Sequence, residues 1–444
     1  MAKTYPGSQP PRADSDFAES AAGPSPRGVI RFGLALGPVL TFLLVLGSMV
    51  LWGTGGSPTF GSIPAVLVAI AAAVSLLCAL VVVRSGWVWL LAVLLGVVVA
   101  IPTIAGVVHD YRDTDWVAAA MGLAVAATVC AAFSFEPTKV RTGVFVALAA
   151  VVWLSLIFGL LQGAGFEVRG LYISNERDLF GLDQLAGITG QPNVLGPLAG
   201  LALLLQSLAL PDFRARPVVL VLGFFFGPVA SAVALIWTQS RSGAIDTAIA
   251  LLLVLIAVFL RHRVVSVAII ISLTWIVAAF FPVVFRADPA TVTPENEPFL
   301  KNELSGRWFP WYIAEQEFSD NKLLGAGPYV FSSKFWKQYP GNPDFKAVHA
   351  HNQVWEVMVL LGLVGLVLLI AALLVVSLTA ARVRFADRGW LVAAAGVTFT
   401  GMAVEVNLGV NGGSATFVLP LALAAVAGCA WRMHLQNVPR VRRR

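Results

Sequence analysis

Charge is scarce in this chain: Asp, Glu, Lys and Arg make up 12% of its 444 residues, against about 25% in a soluble domain. That shortage excludes an ordinary globular protein with a solvated surface. Cysteine is scarce too. Cys78, Cys130 and Cys429 fall inside apolar runs, with no CxxC pair and no histidine close in sequence, so they read as small buried hydrophobes and not as disulfides or metal ligands. No GxxxxGK[ST] loop occurs, which removes the phosphate cradle of that type of ATPase. Residues 1–28, rich in Pro, Ser, Gly and Ala, lack the apolar stretch of a cleavable signal peptide and are expected to be disordered. The net charge of +6 comes from basic residues scattered between apolar runs, so nucleic acid is not an expected partner.

What the chain has instead is apolar length, with 58% hydrophobic residues. Apolar stretches fall at roughly 29–52, 63–83, 87–108, 116–135, 142–163, 193–210, 217–237, 244–260, 264–285, 352–378, 390–408 and 414–431. Each is near the 20 or so residues that a helix needs to cross about 30 Å of hydrocarbon, and barrel strands would be shorter and alternate. The expected fold is an all-α integral membrane protein with about 12 transmembrane helices.

Twelve spans place both termini on one side. Nineteen of the 30 Lys and Arg residues fall on that side, and of the other 11, seven lie in the one long loop. Short loops carry the topogenic signal, and with the long loop set aside the comparison is 19 against four. Both termini are therefore expected in the cytoplasm. The divisions that follow are a cytoplasmic N-terminus (1–28), helices one to nine (29–285), a long extracytoplasmic loop (286–350), helices ten to twelve (351–431) and a basic tail (432–444). Within the loop, Ser305 is expected to cap a helix from about Gly306 to Phe318. Its Trp308, Trp311, Tyr312 and Phe318 suit an interfacial helix on the outer leaflet, ended by GAGP at 325–328.

This topology gathers polar features at the external face. An ionisable residue at the end of a spanning helix is by default a functional hypothesis. Arg241, in TQSRSG, stands with Ser240 and Ser242, a guanidinium fork beside small donors that suits a diphosphate; it also reads as an arginine snorkelling to headgroups. Arg307 lies near the start of the loop helix, where free backbone N–H groups favour an anion, or it simply contacts surface lipid. An imidazole is the side chain best suited to a general base near neutral pH, and His351 offers one, or serves as a hydrogen-bonded helix-start residue. His349, Glu356 and Glu405 are secondary candidates, and Asn352 lies on the face of Glu356. Asn193, at the start of the sixth span, is a polar group facing outside or a helix cap. Gly362 and Gly365 suit close helix packing.

His351 and Asn352, nine residues, then Gly362 and Gly365 make a histidine–polar–x9–GxxG pattern. Together with TQSRSG, with SGRWFPW followed by LLGAGP, and with GQPNVLG before the sixth span, it resembles the O-antigen ligase and O-antigen polymerase superfamily of bacterial envelope proteins. The likeness runs from about Gly187 to Leu366. It implies a metal-independent, inverting glycosyltransferase of the GT-C type, without a cofactor, in the cytoplasmic (inner) membrane. The donor would be a glycan on undecaprenyl diphosphate, and the acceptor a glycan, lipid or protein hydroxyl. By resemblance Arg241 and Arg307 hold the diphosphate, while His351 deprotonates the acceptor or positions the donor.

Two other readings stand beside it. His109, Asp110, Asp113 and Asp115 offer a divalent-metal site for a metal-dependent polyprenyl-phosphate-sugar transferase. A twelve-helix lipid or sugar transporter is the non-enzymatic alternative. The sequence shows no duplicated half with matched broken helices, and its polar groups gather at one face instead of the midplane where transporters bind.

Overall fold

The computed structural model describes residues 26–51, 62–111, 115–166, 173–179, 182–213, 216–259, 283–284, 307–332, 334–335, 349–383, 385–402 and 417–437. Helices dominate them, because hydrocarbon offers backbone N–H and C=O groups no water and a helix satisfies them internally. In order they are α1 (Pro26–Leu51), α2 (Ser62–Val82), α3 (Gly86–Val99), α4 (Ile101–Val108), α5 (Trp116–Ser134), α6 (Pro137–Gly163), α7 (Pro192–Ala209), α8 (Pro217–Phe224), α9 (Ala230–Thr238), α10 (Arg241–Phe259), α11 (Trp308–Asp320), α12 (Gln353–Arg382), α13 (Phe385–Gly401) and α14 (Val418–Asn437). Helices α1, α6, α7 and α8 each begin on proline, whose missing N–H is one that a first helical turn leaves unbonded anyway.

Among the described residues, eight helical segments are long and apolar enough to cross a membrane, and α3 with α4 makes a ninth that is bent by 62°. The chain is a multi-pass membrane protein. The expected stretches at 244–260 and 390–408 are helical over their described parts, as α10 and α13. Nearly all of 264–285, the long loop before residue 307 and Glu405 lie outside the described residues, as do 1–25 and 438–444 of the two tails, whose remaining residues belong to α1 and α14.

Three stretches expected to run unbroken are interrupted. The third bends at Ala100, between α3 and α4. The seventh contains a π-helical turn, Phe225–Val229. Its Pro228 has no N–H to give and its ring crowds the preceding turn, a known cause of such widening. The tenth breaks at Gly362, with φ 59° and ψ −143°. Pro38 inside α1 leaves the Leu34 carbonyl without its i+4 donor. The Ser75 hydroxyl of α2, 2.8 Å away, bonds that carbonyl instead.

The all-α class holds, with one small addition and one correction. The addition is a two-stranded antiparallel hairpin, β1 (Ile173–Leu179) with β2 (Leu182–Leu185). It stands in the loop before α7, where polar residues and Gly181 interrupt the apolar pattern. The correction concerns the aromatics of the loop helix, which were expected to face lipid and in part pack on protein instead. Trp308, Phe309 and Trp311 of α11 are buried at 8%, 2% and 1% exposure, and Trp308 and Phe309 share an apolar cluster with Val330, Phe331, Ala350, Trp355 and Val359. Aromatic density here builds a protein interface between α11 and α12, for which a composition count has no separate signature.

Small residues set how the helices meet at the end where α7, α10 and α12 begin. A Cβ on Gly243 would lie 2.6 Å from the Gly196 carbonyl carbon, and one on Gly196 would lie 2.6 Å from the Ser240 Cβ. With Gly200 against Thr247, these contacts run α7 and α10 side by side in the same direction, their N-termini level. Helix α13 runs antiparallel to α10, Gly396 meeting Ala250 and Gly389 meeting Val254. Its C-terminal end therefore stands beside the start of α10. At the opposite end of the bundle, Arg382 sits 4.2 Å from the ring centroid of Trp87, Arg141 sits 5.2 Å from that of Trp390, and Arg432 donates to the Phe133 carbonyl at 2.8 Å.

Candidate functional site

Two turns carry the candidate residues. In the first, α9 ends at Gln239, which takes a left-handed conformation (φ 50°, ψ 23°). Ser240 follows, and its Oγ accepts from the Gly243 N–H at 3.2 Å, the N-cap bond that a serine supplies best. Arg241 is thereby the first residue of α10 and is exposed. The Ser240 hydroxyl also stands 3.1 Å from Ser242 Oγ and 3.3 Å from Asn193 Oδ1 on α7. Four candidates, Asn193, Ser240, Arg241 and Ser242, therefore occupy one small patch above two adjacent helix N-termini. Asn193 does not cap α7: it lies inside the helix, whose N-cap is Gln191, and its oxygen reaches across to α10. The capping reading falls because Pro192, not Asn193, opens the helix.

The second turn precedes α12. His351 is left-handed (φ 51°), and its N–H donates to His349 Nδ1 at 3.1 Å, with the two rings 4.0 Å apart. Asn352 is the N-cap of α12, its Oδ1 accepting from the Trp355 N–H at 3.0 Å. Glu356 Oε2 accepts from the Ala350 N–H at 2.6 Å. Asn352 and Glu356 are both fully buried, whereas His349 and His351 are partly exposed. The histidines keep some exposure, and the buried amide and carboxyl hold the turn.

The GxxG that follows serves more than close packing of helices. At Gly362 the helix gives up its regular bonds, and the segment after α11 plugs the gap. Ala326 and Gly327 donate to the Val359 carbonyl at 2.8 and 3.0 Å, while Leu363 and Val364 donate to the carbonyls of Lys322 and Leu323 at 2.8 and 3.3 Å. A Cβ on Gly362 would lie 2.5 Å from the Leu323 carbonyl carbon. Phe318 meets Trp355 edge to face at 6.5 Å, so α11 and the first part of α12 run alongside one another in the same direction. Arg307, the N-cap of α11 and half-buried, is thereby placed at the end of α11 that packs near Ala350.

The two turns are joined through α13: the Gln353 N–H donates to the Met402 carbonyl at 2.9 Å, and Met402 follows the end of α13 that lies beside the start of α10. The N-termini of α7, α10, α11 and α12 thus share one end of the molecule, each presenting the positive end of a helix dipole. Glu405, the remaining secondary candidate, lies just past the described residues of α13.

Among the described residues, no metal site forms at the acidic cluster that one alternative needs. Asp115 Oδ1 caps α5, accepting from Val117 and Ala118 N–H at 3.0 and 3.4 Å. Burial raises the Asp115 carboxyl above its ordinary range, and those two bonds pull it back. His109 Nε2 lies 3.1 Å from the Leu324 carbonyl, Asp113 lies outside the described residues, and among the described residues no group of three His, Cys, Asp or Glu could hold a metal ion.

Sequence reasoning missed Gly196 and Gly200, on whose account Asn193 reaches Ser240, and Gln353, which joins the turns. The glycines had a signal, since G-x-x-x-G within an apolar run marks a packing face. Gln353 had none beyond being a buried polar residue at a helix start.

Residues 226–370 match a family model described as O-antigen ligase. The matched stretch takes in both turns, α11 and the Gly362 break, and leaves Asn193 outside. No curated protein matches the chain.

Proposed function

The chain belongs to the O-antigen ligase and polymerase superfamily, and from that premise we propose that it transfers glycan from an undecaprenyl-diphosphate donor to an acceptor hydroxyl. The transfer inverts the anomeric carbon and uses no metal, as in a GT-C-type enzyme. It takes place at the external face of the cytoplasmic membrane. The observation that supports this reading is that the helices headed by Arg241, Arg307 and the histidine turn begin toward one end of the molecule, with the starts of α7 and α10 level. Nothing in such a site is wasted on nucleotide recognition, and all of it suits an anion.

The acceptor oxygen attacks the anomeric carbon while the bond from that carbon to the diphosphate breaks. The electron pair leaves with the lipid diphosphate, and the acceptor proton passes to the His351 imidazole. Arg241 and Arg307, with the N–H groups at the starts of α10 and α11, stabilise the charge that grows on the leaving group. Ser240, Ser242 and Asn193 offer hydrogen bonds beside Arg241, while Asn352 and Glu356 shape the histidine turn from beneath. Placing this end outside the cell agrees with the arginines gathered at the other end, since cytoplasmic loops carry the excess of positive charge.

The test incubates purified protein in detergent with labelled lipid-diphosphate glycan and glycan, lipid or peptide acceptors, with and without EDTA. Transfer that persists in EDTA and is lost in Arg241→Ala and in His351→Ala is the expected result. Detergent removes any compartment, so donor consumption there separates catalysis from transport. Transfer abolished by EDTA, or intact in both variants, would sink the proposal.

A further inference from the structure

We propose that Glu356 is a positioning residue for His351: its carboxylate, by holding the Ala350 N–H, fixes the left-handed turn that presents the imidazole. The inference rests on the glycosyltransferase reading for its kinetic arm and on geometry alone for its spectroscopic one.

A common way to close a helix start is a reciprocal pair, in which the N-cap side chain bonds the N–H three residues on and the residue there bonds back to the N-cap N–H. Helix α12 keeps the first half, Asn352 bonding Trp355. The position that would supply the second half is Trp355 itself, and the back-bond comes instead from Glu356, one residue further along. It reaches past Asn352 and past His351 to Ala350 at 2.6 Å. The bracket therefore encloses His351, which an ordinary box would leave outside. The remaining N–H of the turn, that of His351, is taken by His349 Nδ1 at 3.1 Å.

The enclosed residue is the one that needs bracing. A non-glycine residue with φ near +51° occupies a sparsely populated region and stays there only when its surroundings over-determine it. Glu356 is fully buried and makes this bond from the interior, so it does not touch solvent. Ala350 is also fully buried, which leaves its N–H no water as a substitute partner. A carboxylate placed in this way acts on the reaction through the direction of the His351 ring and not by contact with substrate.

Bracing by reach and a need for an ionisable carboxyl make opposite demands on substitutions, which gives the test. Glu356→Gln keeps an oxygen at the same reach and removes the ionisable carboxyl. Glu356→Asp keeps the carboxyl and withdraws it by one methylene. Full-length protein labelled at histidine Cε1 contains only five such positions, so each is followed in detergent micelles by NMR, with His349 and His351 assigned by substitution. Expected are an unchanged five-signal spectrum in Glu356→Gln, and in Glu356→Asp displacement of the His349 and His351 signals alone. In transfer assays with labelled lipid-diphosphate glycan, Glu356→Asp is expected to lose about 10- to 100-fold in kcat, the scale of an ångström of misplacement. Its KM for the donor should hold, and Glu356→Gln should keep kcat within about threefold. Any other ordering of the two variants, in spectrum or in kcat, overturns the inference. Absence of transfer in the wild type overturns the glycosyltransferase reading instead and leaves the spectra to decide on the brace.

Discussion

The arginine turn and the histidine turn solve one backbone problem with different materials. Each breaks the chain with a left-handed residue that is not glycine, Gln239 at φ 50° and His351 at φ 51°, and each then starts a capped helix. At the arginine turn the holding groups are a serine hydroxyl and an exposed asparagine, and the charged residue reaches out from the surface. At the histidine turn the holding groups are a buried amide and a buried carboxylate, and beneath them a second segment is plugged into the helix at Gly362. The difference matches the two tasks proposed for them. A diphosphate is gripped by charge over a range of positions, whereas a base works only within hydrogen-bond reach of its proton.

The largest expected effect tests whether the histidine turn depends on its support. Gly362→Ala combines a backbone that only glycine adopts with a Cβ driven against the Leu323 carbonyl carbon. Strain and overpacking together cost about 2–6 kcal/mol. Gly243→Ala at the arginine turn meets the Gly196 backbone closely but needs no left-handed φ, so only the overpacking part, about 1–3 kcal/mol, applies. Thermal unfolding in detergent should rank Gly362→Ala well below Gly243→Ala, and equal midpoints would erase the contrast. Next comes the grip itself. Arg241→Ala should cost about 10²- to 10³-fold in kcat, the scale for removing a preorganised donor to a developing anion, with the unfolding midpoint unchanged because the side chain is exposed. Arg241→Lys should recover only part of the rate, since an ammonium lacks the bidentate fork.

How much of this was readable beforehand follows from where the determinants lie. The apolar runs, the membrane class and the two motifs are local in sequence, and they placed His351 at a helix start and Arg241 at a turn. The Gly362 break was not readable, because the groups that complete it, Lys322 to Gly327, lie far from it along the chain and carry no mark of their destination. The aromatics of α11 misled for a related reason: a membrane interface and a protein interface select the same side chains. Asn193 was placed at the start of its helix but given the wrong neighbour, because its partner was set by three glycine contacts between α7 and α10.

The caps compare the turns at smaller scale. Both caps are buried, Ser240 at 3% and Asn352 at 0% exposure, so what separates them is size: Asn352→Ala leaves the larger void and should cost toward about 2 kcal/mol, the top of the range for such residues, whereas Ser240→Ala, which removes a single oxygen, should cost nearer about 0.5–1 kcal/mol. Urea or thermal unfolding of the pair in detergent measures the difference, and the reverse order would mean that cap size does not separate the turns.

The smallest effect is also the most specific to the ligand. Asn193→Ala removes one acceptor, at 3.3 Å, from a Ser240 hydroxyl that keeps Ser242 and the Gly243 N–H beside it. The loss should stay below about 1 kcal/mol, or fivefold in donor KM. Asn193→Asp keeps an acceptor for Ser240 and adds a negative charge to the patch. If Arg241 grips an anion there, this near-isosteric change must harm donor binding more than alanine does, and the excess must shrink as salt rises. If the patch instead met the neutral glycan, the two variants would bind donor alike at every ionic strength, and the division of labour between the turns would have to be redrawn.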